Sequence, residues 1–406
     1  MSDCISIQRG YKYRAYPSEV QQQWLGREFG AVRFVYNHFL TVRRNHYKAT
    51  GTGLSYSATA ALLTQLKQDA QYAWLKLSNA QTLQQALVNL DNAFVNFFEK
   101  RGGYPQFKSK RGRQSFRVPQ WFRVEGDTVI LPKLKTPLRF KQHRRLRGMV
   151  KSVTISQETS GKYYVSFLVE EIIQRPQPVE NEMGIDLGLH SFLVTSQGEK
   201  VAHPKLLNQS RKKLRRLKRR HSRTKKGSVN REKARLKLAR QEERVAHQRR
   251  DFLHRLSYHL MDENQAVSVE TLAVKHMVKN HKLARSIADS GWSEFIRQLE
   301  YKAQWKGREL YKIDRWLPST QLCSDCGYQN TALTLKDREW MCPACGTKHD
   351  RDMNAAKNIL NAGKRTAGRA GTADGGNTVG NAFGEHVRPA KRRRFSSKKE
   401  TYPLVG

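Results

Sequence analysis

Four cysteines constrain this chain more than any other feature. Cys323 and Cys326 form one Cys-x2-Cys pair, Cys342 and Cys345 form another, and fifteen residues separate the pairs. Two such turns present four thiolates to one tetrahedral Zn²⁺, and the glycines that follow the second and fourth cysteines, Gly327 and Gly346, allow the tight turn each knuckle needs. The competing readings are accidental pairs of reduced thiols and a disulfide; nothing else in the chain looks secreted, which disfavours the disulfide. Four thiolates leave no open position for water, so the expected zinc is structural and any catalytic group lies elsewhere. Directly after the cage the chain reads His349-Asp350-Arg351-Asp352-Met353-Asn354-Ala355-Ala356, a carboxylate-rich entry into a helix.

Charge fixes the partner class. The 406 residues carry a net charge of +40, which points to a polyanion, nucleic acid before an anionic membrane surface. No apolar run is long enough to cross a bilayer, and the first residues do not read as a signal peptide. Cys4 remains outside the two pairs. A reducing, intracellular setting is expected.

Along the chain, residues 5–14 favour a strand, with Gly10 as a possible bulge. Ser18 is placed to cap a helix running to about residue 48, with a break near Gly30. A second helix is expected at 57–70 and a third at 79–100. The third carries Leu83, Ala86, Leu87, Leu90, Ala93, Phe94, Phe97 and Phe98 at helical spacing, read as bundle core. Residues 101–117 hold six basic residues, no acid, and Tyr104, Phe107 and Phe116. Such a loop suits phosphate clamping and base stacking, with Lys108, Arg111 and Arg113 as candidates, against the plainer reading of a solvated basic loop. From 118 to 173 the pattern turns to strands at 128–131, 138–140, 150–157 and 163–169, which with 5–14 suit a small barrel. Pro176 and Pro178 mark a boundary. Strands follow at 183–189 and 192–195. Residues 205–260 read as a helical hairpin turning near Gly227; 211–250 alone contain nineteen Lys/Arg and three Glu. Repulsion that dense suits a nucleic-acid-facing arm, with Arg215, Arg216 and Arg219 as candidate contacts. A short apolar strand ends on Glu270, a helix covers 291–307, and a strand at 310–313 precedes the cysteines. After Asp352 a helix is expected to about residue 360, and the Gly-rich, basic stretch from 363 onward is expected to be disordered.

Three acids stand out by position. Asp186 sits amid apolar strand residues, Glu270 closes another strand, and Asp352 opens a helix. A carboxylate in such a strand costs several kcal/mol unless a cation or donor meets it. Asp350 is the better N-cap of the last helix. Acids delivered by separate elements can hold two Mg²⁺ ions for phosphodiester hydrolysis.

The series Gly184-Ile-Asp186-Leu-Gly188, Val269-Glu270-Thr-Leu272, Ser319-Thr-Gln321 before the cysteines, and Asp350-Arg-Asp352-x-Asn354-Ala-Ala356-x-Asn358-Ile closely resembles the TnpB family of transposon-encoded, RNA-guided DNA endonucleases related to type V CRISPR effectors. Arg33-Phe34-Val35-Tyr36-Asn37, Ala93-Phe94-x2-Phe97-Phe98 and Gly103-Tyr104-Pro105-x-Phe107-Lys108 look like family segments too, so the resemblance covers roughly 5–361. It implies a multidomain α+β chain. An OB-like β-barrel wedge would comprise 1–17 and 118–178, with a helical recognition bundle inserted at 18–117. A RuvC/RNase H-like α/β nuclease domain would follow at 179–362, including the basic arm at 205–260 and a four-cysteine zinc-ribbon insert at 318–349, before a tail at 363–406.

It further implies that Asp186, Glu270 and Asp352 are catalytic and hold Mg²⁺ or Mn²⁺. Cys323, Cys326, Cys342 and Cys345 would hold structural Zn²⁺. Tyr56, Gln84 and residues near Gln120 are candidates for reading a short DNA motif beside the target. The implied partners are a guide RNA from the transposon end and double- and single-stranded target DNA, with no membrane, bound by a monomer with one RNA in the prokaryotic cytoplasm at the nucleoid. The alternatives are a nuclease-inactive guided DNA-binding regulator, a transposition accessory protein, and a zinc protein that packages RNA.

Overall fold

The structure is a computed structural model that describes residues 4–334 and 336–370. Residues up to Gly363 form one compact unit; from Lys364 a second begins, of which only the last turns of the final helix fall among the described residues.

Strand β1 (Cys4–Ala15) opens the chain and leads into α1 (Glu19–Thr50). Ser18 caps that helix in a full capping box: its hydroxyl accepts from the Gln21 amide, and the Gln21 side chain accepts from the Ser18 amide. The helix does not break at Gly30. Leu25, Phe29, Val32, Val35, Tyr36, Phe39 and Leu40 bury one continuous face, and that burial outweighs the ~1 kcal/mol each interior glycine costs. Helices α2 (Tyr56–Leu66) and α3 (Ala80–Phe98) complete the bundle. The α3 stripe is fully buried only in its first half. Leu83, Ala86, Leu87 and Leu90 are buried, whereas Phe98 is 73% exposed. Phe94, half-buried against the same core, and Phe97 both meet Tyr104 edge-on, at 5.7 and 5.4 Å, so the stripe's end turns to the basic loop.

Strands β2 (Gln114–Val118), β3 (Arg123–Glu125), β4 (Thr128–Ile130), β5 (Leu138–Lys141), β6 (Met149–Gln157) and β7 (Tyr163–Gln174) join β1 in one antiparallel sheet, ordered β2-β6-β7-β1-β5-β4-β3. β1 pairs β7 along its whole length. This sheet and the helical bundle share a single core, in which Phe116 of β2 packs against Phe29 of α1 at 5.3 Å.

A second sheet follows: β8 (Glu182–Leu187), β9 (Ser191–Thr195), β10 (Lys200–Ala202), β11 (Ala266–Glu270) and β12 (Glu309–Ile313), ordered β10-β9-β8-β11-β12. β8, β11 and β12 run parallel; β9 and β10 are antiparallel. Between β10 and β11 lies the helical hairpin α4 (Leu206–Arg223) and α5 (Val229–Glu263), turning where the sequence placed it, with Ser228 capping α5. Helices α6 (Val274–Met277), α7 (Ala284–Ser290) and α8 (Trp292–Lys306) connect β11 to β12. Leu253, Leu260, Trp292, Phe295 and Leu299 cover the sheet from the α5 and α8 side. The ribbon hairpin β13 (Glu339–Met341) and β14 (Lys348–Asp350) runs directly into α9 (Arg351–Ala370). That helix continues to residue 370 rather than ending near 360. The rest of the tail expectation lies outside the described residues.

Candidate active site and metal centre

Parallel pairing aligns the two strand acids. Ser268 sits opposite Gly184 and Val269 opposite Ile185, so Asp186 and Glu270 lie one step further on, at the same end of neighbouring strands. The third acid arrives on α9, which lies close on this sheet because glycine allows it. A Cβ on Gly184 would sit 2.1 Å from the Ala356 carbonyl oxygen and 2.8 Å from the Leu360 Cβ, and one on Gly363 would meet the Ser268 hydroxyl. Ala355, Ala356 and Ile359 are fully buried along the contact. Asp350 caps the helix by accepting from the amides of Asp352 (3.1 Å) and Met353 (3.0 Å), as its position in the sequence suggested. Lys200 of β10 holds the other Asp350 oxygen at 2.6 Å.

Asp186 feels both of the other acids. A strip of Asp186 remains open to solvent, yet its carboxyl is hemmed in on most sides. Desolvation first, then repulsion from Glu270 and Asp352, raises its pKa from 3.8 to about 7, against a smaller pull from Arg351. Desolvation also raises Glu270. Asp352 is flanked by cations: Arg338 Nη1 lies 3.4 Å from one oxygen and Arg351 Nε 3.5 Å from the other. Acids gathered at a sheet end in this way could take up divalent cations; among the described residues, the four cysteines are the group of metal-ligating side chains already close enough to share one ion.

The four cysteine sulfurs all lie within 4.8 Å of one another. Two separations are 3.7 Å (Cys323 to Cys345) and 3.5 Å (Cys326 to Cys342). A tetrahedron with Zn–S bonds of about 2.3 Å requires sulfurs about 3.8 Å apart, so the cage fits zinc. Each knuckle closes the same way. The Gly327 amide donates to the Cys323 carbonyl at 3.0 Å and the Gly346 amide to the Cys342 carbonyl at 2.9 Å, with both glycines at left-handed φ, +79° and +74°.

The sequence reading missed what binds the ribbon to the helix. Asn354 accepts from the Ser324 amide at 2.9 Å and donates to the Leu322 carbonyl. Asn358, one turn on, donates to the Ser319 and Leu322 carbonyls. Both asparagines are buried, and their i, i+4 spacing behind Asp350 was the available signal. His349, also buried, places Nε2 3.0 Å from the Cys323 sulfur and packs against Trp340 at 4.8 Å.

The expected nucleic-acid contacts fall in three places. Arg215, Arg216 and Arg219 share with Lys212, Arg220 and Arg223 the wall of a cleft of about 630 Å³ on α4. Lys108 folds its ammonium back to 3.9 Å over the Tyr36 ring while its stem stays exposed; Arg113 reaches Glu158 at 3.4 Å, and Arg111 is exposed. Tyr56 begins α2, and Gln84 is exposed on α3. Gln120 is exposed beside Trp121, a residue the sequence did not single out. Trp121 takes a left-handed φ of +63° and is 81% exposed. With the Gln81 amide turned to satisfy both neighbours, Gln81 accepts from the Trp121 indole at 3.0 Å and donates to the Gln120 carbonyl at 3.1 Å. Among the described residues no helix is long and apolar enough to cross a membrane.

A family described as "Probable transposase" matches residues 157–281, and a "Cas12f1-like, TNB domain" matches 292–359. A "Helix-turn-helix domain" matches 1–52, where the described residues form one strand and one long helix. A protein of Streptomyces pristinaespiralis named "Putative RNA-guided DNA endonuclease" is 43% identical over 361 residues, 88% of this chain and 90% of its own length. One of Escherichia coli strain K12, "Putative RNA-guided DNA endonuclease InsQ", is 33% identical over 373 residues, 87% of this chain and 92% of its own. A solved structure described as a Cas12f1–sgRNA–target DNA complex aligns with 88% of this chain and 99% of that one, at 15% identity and a TM-score of 0.48. Identity at this level across nearly the whole of both relatives, together with the matched family segments, means that the chain belongs to the TnpB family.

Proposed function

We propose that the protein is an RNA-guided, divalent-metal-dependent DNA endonuclease of a transposon, cutting target DNA beside a short motif under a guide RNA from the transposon end. The observation that carries this reading is the meeting of Asp186, Glu270 and Asp352 at one end of the second sheet, where burial and mutual repulsion raise Asp186. The names of the two relatives support the guided-endonuclease activity.

Asp186, Glu270 and Asp352 would hold the catalytic Mg²⁺ or Mn²⁺. The ions, when bound, supply charge neutralisation at phosphate and an activated water. The chain's own part would be to bring three carboxylates, from two strands and a helix start, to one end of the sheet. Arg338 and Arg351, already beside Asp352, are placed to face a phosphate once that carboxylate is engaged elsewhere. Cys323, Cys326, Cys342 and Cys345 would hold structural zinc.

In domain terms, the first sheet is the OB-like wedge (1–17 and 118–178, with β2 extending it to Gln114). Residues 18–117, less those of β2, are the recognition bundle, and 179–362 are the RuvC-like nuclease domain with its basic arm and ribbon. The order β10-β9-β8-β11-β12, with three parallel strands and two antiparallel ones, supports an RNase H-type core. Lys108, Arg111, Arg113, Arg215, Arg216 and Arg219 are assigned to phosphates; Tyr56, Gln84 and Gln120 to the motif. The complex would be a monomer with one RNA, working in the prokaryotic cytoplasm at the nucleoid.

The test is cleavage by protein purified with the RNA that co-purifies from its transposon. Matched duplex is offered with Mg²⁺. Cutting that requires the metal, the match and Asp186 is expected; cutting unchanged in Asp186→Ala would overturn the assignment.

A further inference from the structure

The basic loop between α3 and β2 is built as a fixed object. Asn37 of α1 grips Lys108 from both sides, donating to its carbonyl at 3.0 Å and accepting from its amide at 2.8 Å. The Gln114 amide donates to the Ser109 and Gly112 carbonyls, both at 2.8 Å, while its oxygen accepts from Arg33 at 2.6 Å. Pinned at this point, Phe107 stands at the rim of a notch with 55% of its surface in water. Phe34 and His38 of α1 line the same notch, their ring centroids 5.5 Å apart and planes inclined by 30°, and half-exposed Trp74, outside the notch, meets Phe34 edge-on at 5.3 Å. Arg33 lines the same notch, and Gly30 leaves its floor open, since a Cβ there would find only the Arg33 guanidinium, 4.0 Å away. The notch holds about 400 Å³, within the roughly 300–1,000 Å³ of small-ligand clefts.

We propose that this notch seats one unpaired nucleobase of a single strand, stacked between Phe107 and the Phe34–His38 wall, with its phosphate neutralised by Arg33 and the loop's Lys110 and Arg111. The inference rests on the nucleic-acid function proposed above and adds a place where a base is held without pairing. A half-exposed phenylalanine on a tied-down loop offers a flat face whose ordering cost is already met before a ligand arrives. Arg33 lines the notch, and residues 101–117 carry six basic residues and no acid, so the ligand is anionic as well as flat. Bases within a duplex keep their faces stacked inside, so only a single-stranded or extruded nucleotide reaches the notch. Such a strand is RNA or DNA; the ring and phosphate are common to both.

The two sources are separated by photocrosslinking the full chain to oligouridylate carrying one thiouridine and to oligothymidylate carrying one thiothymidine, then mapping the joined peptide. A crosslink to the segment containing Phe107 or His38 is expected, and whichever probe gives it names the strand. Phe107→Ala should weaken binding of that probe roughly tenfold to a hundredfold, the range of one lost base–aromatic stack. Phe107→Trp should retain binding. Gly30→Leu, which adds bulk to the notch beside the Arg33 guanidinium and removes no side chain, should weaken it as well. Wild-type protein that binds the probes but crosslinks elsewhere, with Phe107→Ala and Gly30→Leu binding as wild type, would overturn the notch and leave the proposed function standing. A chain that binds neither probe would overturn both.

Discussion

Asp186→Asn should remove cutting and make the metal-free protein more stable at neutral pH, and the size of the gain follows from the site. Asp186 has its pKa raised from 3.8 to about 7, so the folded state holds this proton more tightly than the unfolded chain does. The sign is therefore opposite to that of a salt-bridged acid. The proton-linked stability is present at low pH and is lost as pH rises through about 7. Between about pH 5 and about pH 8 a group with these two pKa values loses about 2–3 kcal/mol, an upper bound because side chains relax. Asparagine carries no such charge, so its advantage over the wild type should grow by up to that amount across the interval. The assay is urea unfolding of both proteins in chelator at the two pH values. Taking the difference between pH values cancels any pH-independent effect of the amide on packing. Adding Mg²⁺ at about pH 8 should reverse the order, because only the wild type offers the full carboxylate set. An Asp186→Asn advantage that is the same at both pH values, or that survives saturating Mg²⁺, would refute the account of Asp186 as a buried, mutually repelled metal ligand.

Four further outcomes are expected. Asp352→Ala and Glu270→Ala should each lower guided cutting at least about a hundredfold while RNA binding by gel shift stays intact. His349→Ala should weaken zinc binding by about 10–100-fold in a chelator competition, with His349→Gln retaining part of it, because the ring meets the Cys323 sulfur at 3.0 Å. Gly184→Ala should cost about 1–3 kcal/mol or more in urea unfolding, because the new Cβ meets the helix backbone at Ala356 rather than a side chain that can swing away. Replacing Arg215, Arg216 and Arg219 together by Ala should reduce the slope of log affinity against log salt by about 2–3, and affinities equal to wild type at all salt concentrations would remove α4 from the interface.

What the sequence revealed and what it hid divide along physical lines. Strand acids, cysteine spacing and the Gly227 turn are local signals, and each was legible because its meaning depends on a few neighbours. The Ser18 capping box and the Asp350 cap were legible for the same reason. The misreadings concern packing. Gly30 looked like a helix break because its local cost is visible, whereas the buried face that outweighs it comes from the sheet beneath. The second half of the α3 stripe looked like core because periodicity does not say where the core ends; Phe98 lies beyond it. Strands β13 and β14 carry too few residues for a period to show, and the alternation of buried Phe116 and Val118 in β2 was masked by the basic residues that made 101–117 read as a loop. Trp121 was invisible because only a structure shows a left-handed φ held by a partner forty residues upstream.

The ribbon and the third acid are one mechanical unit. From the cage, a path of a few residues leads to Asp352. Cys345 ends the second knuckle, β14 pairs with β13, His349 touches the Cys323 sulfur, and Asp350 caps the helix on which Asp352 is the second residue. A second set of bonds crosses from the first knuckle to the same helix through Asn354 and Asn358. The helix itself cannot slide, because Gly184 and Gly363 bring it onto β8 and β11 at distances no larger side chain permits. Asp352 is thus fixed from below by the sheet that carries Asp186 and Glu270, and from the side by the cage. Without zinc in the cage, only the lateral restraint would be lost. Zinc-depleted protein should therefore keep the sheet and the Asp186–Glu270 pairing while the N-terminal turn of α9 loosens, a selective rise in amide exchange at 350–354 that general unfolding would not produce.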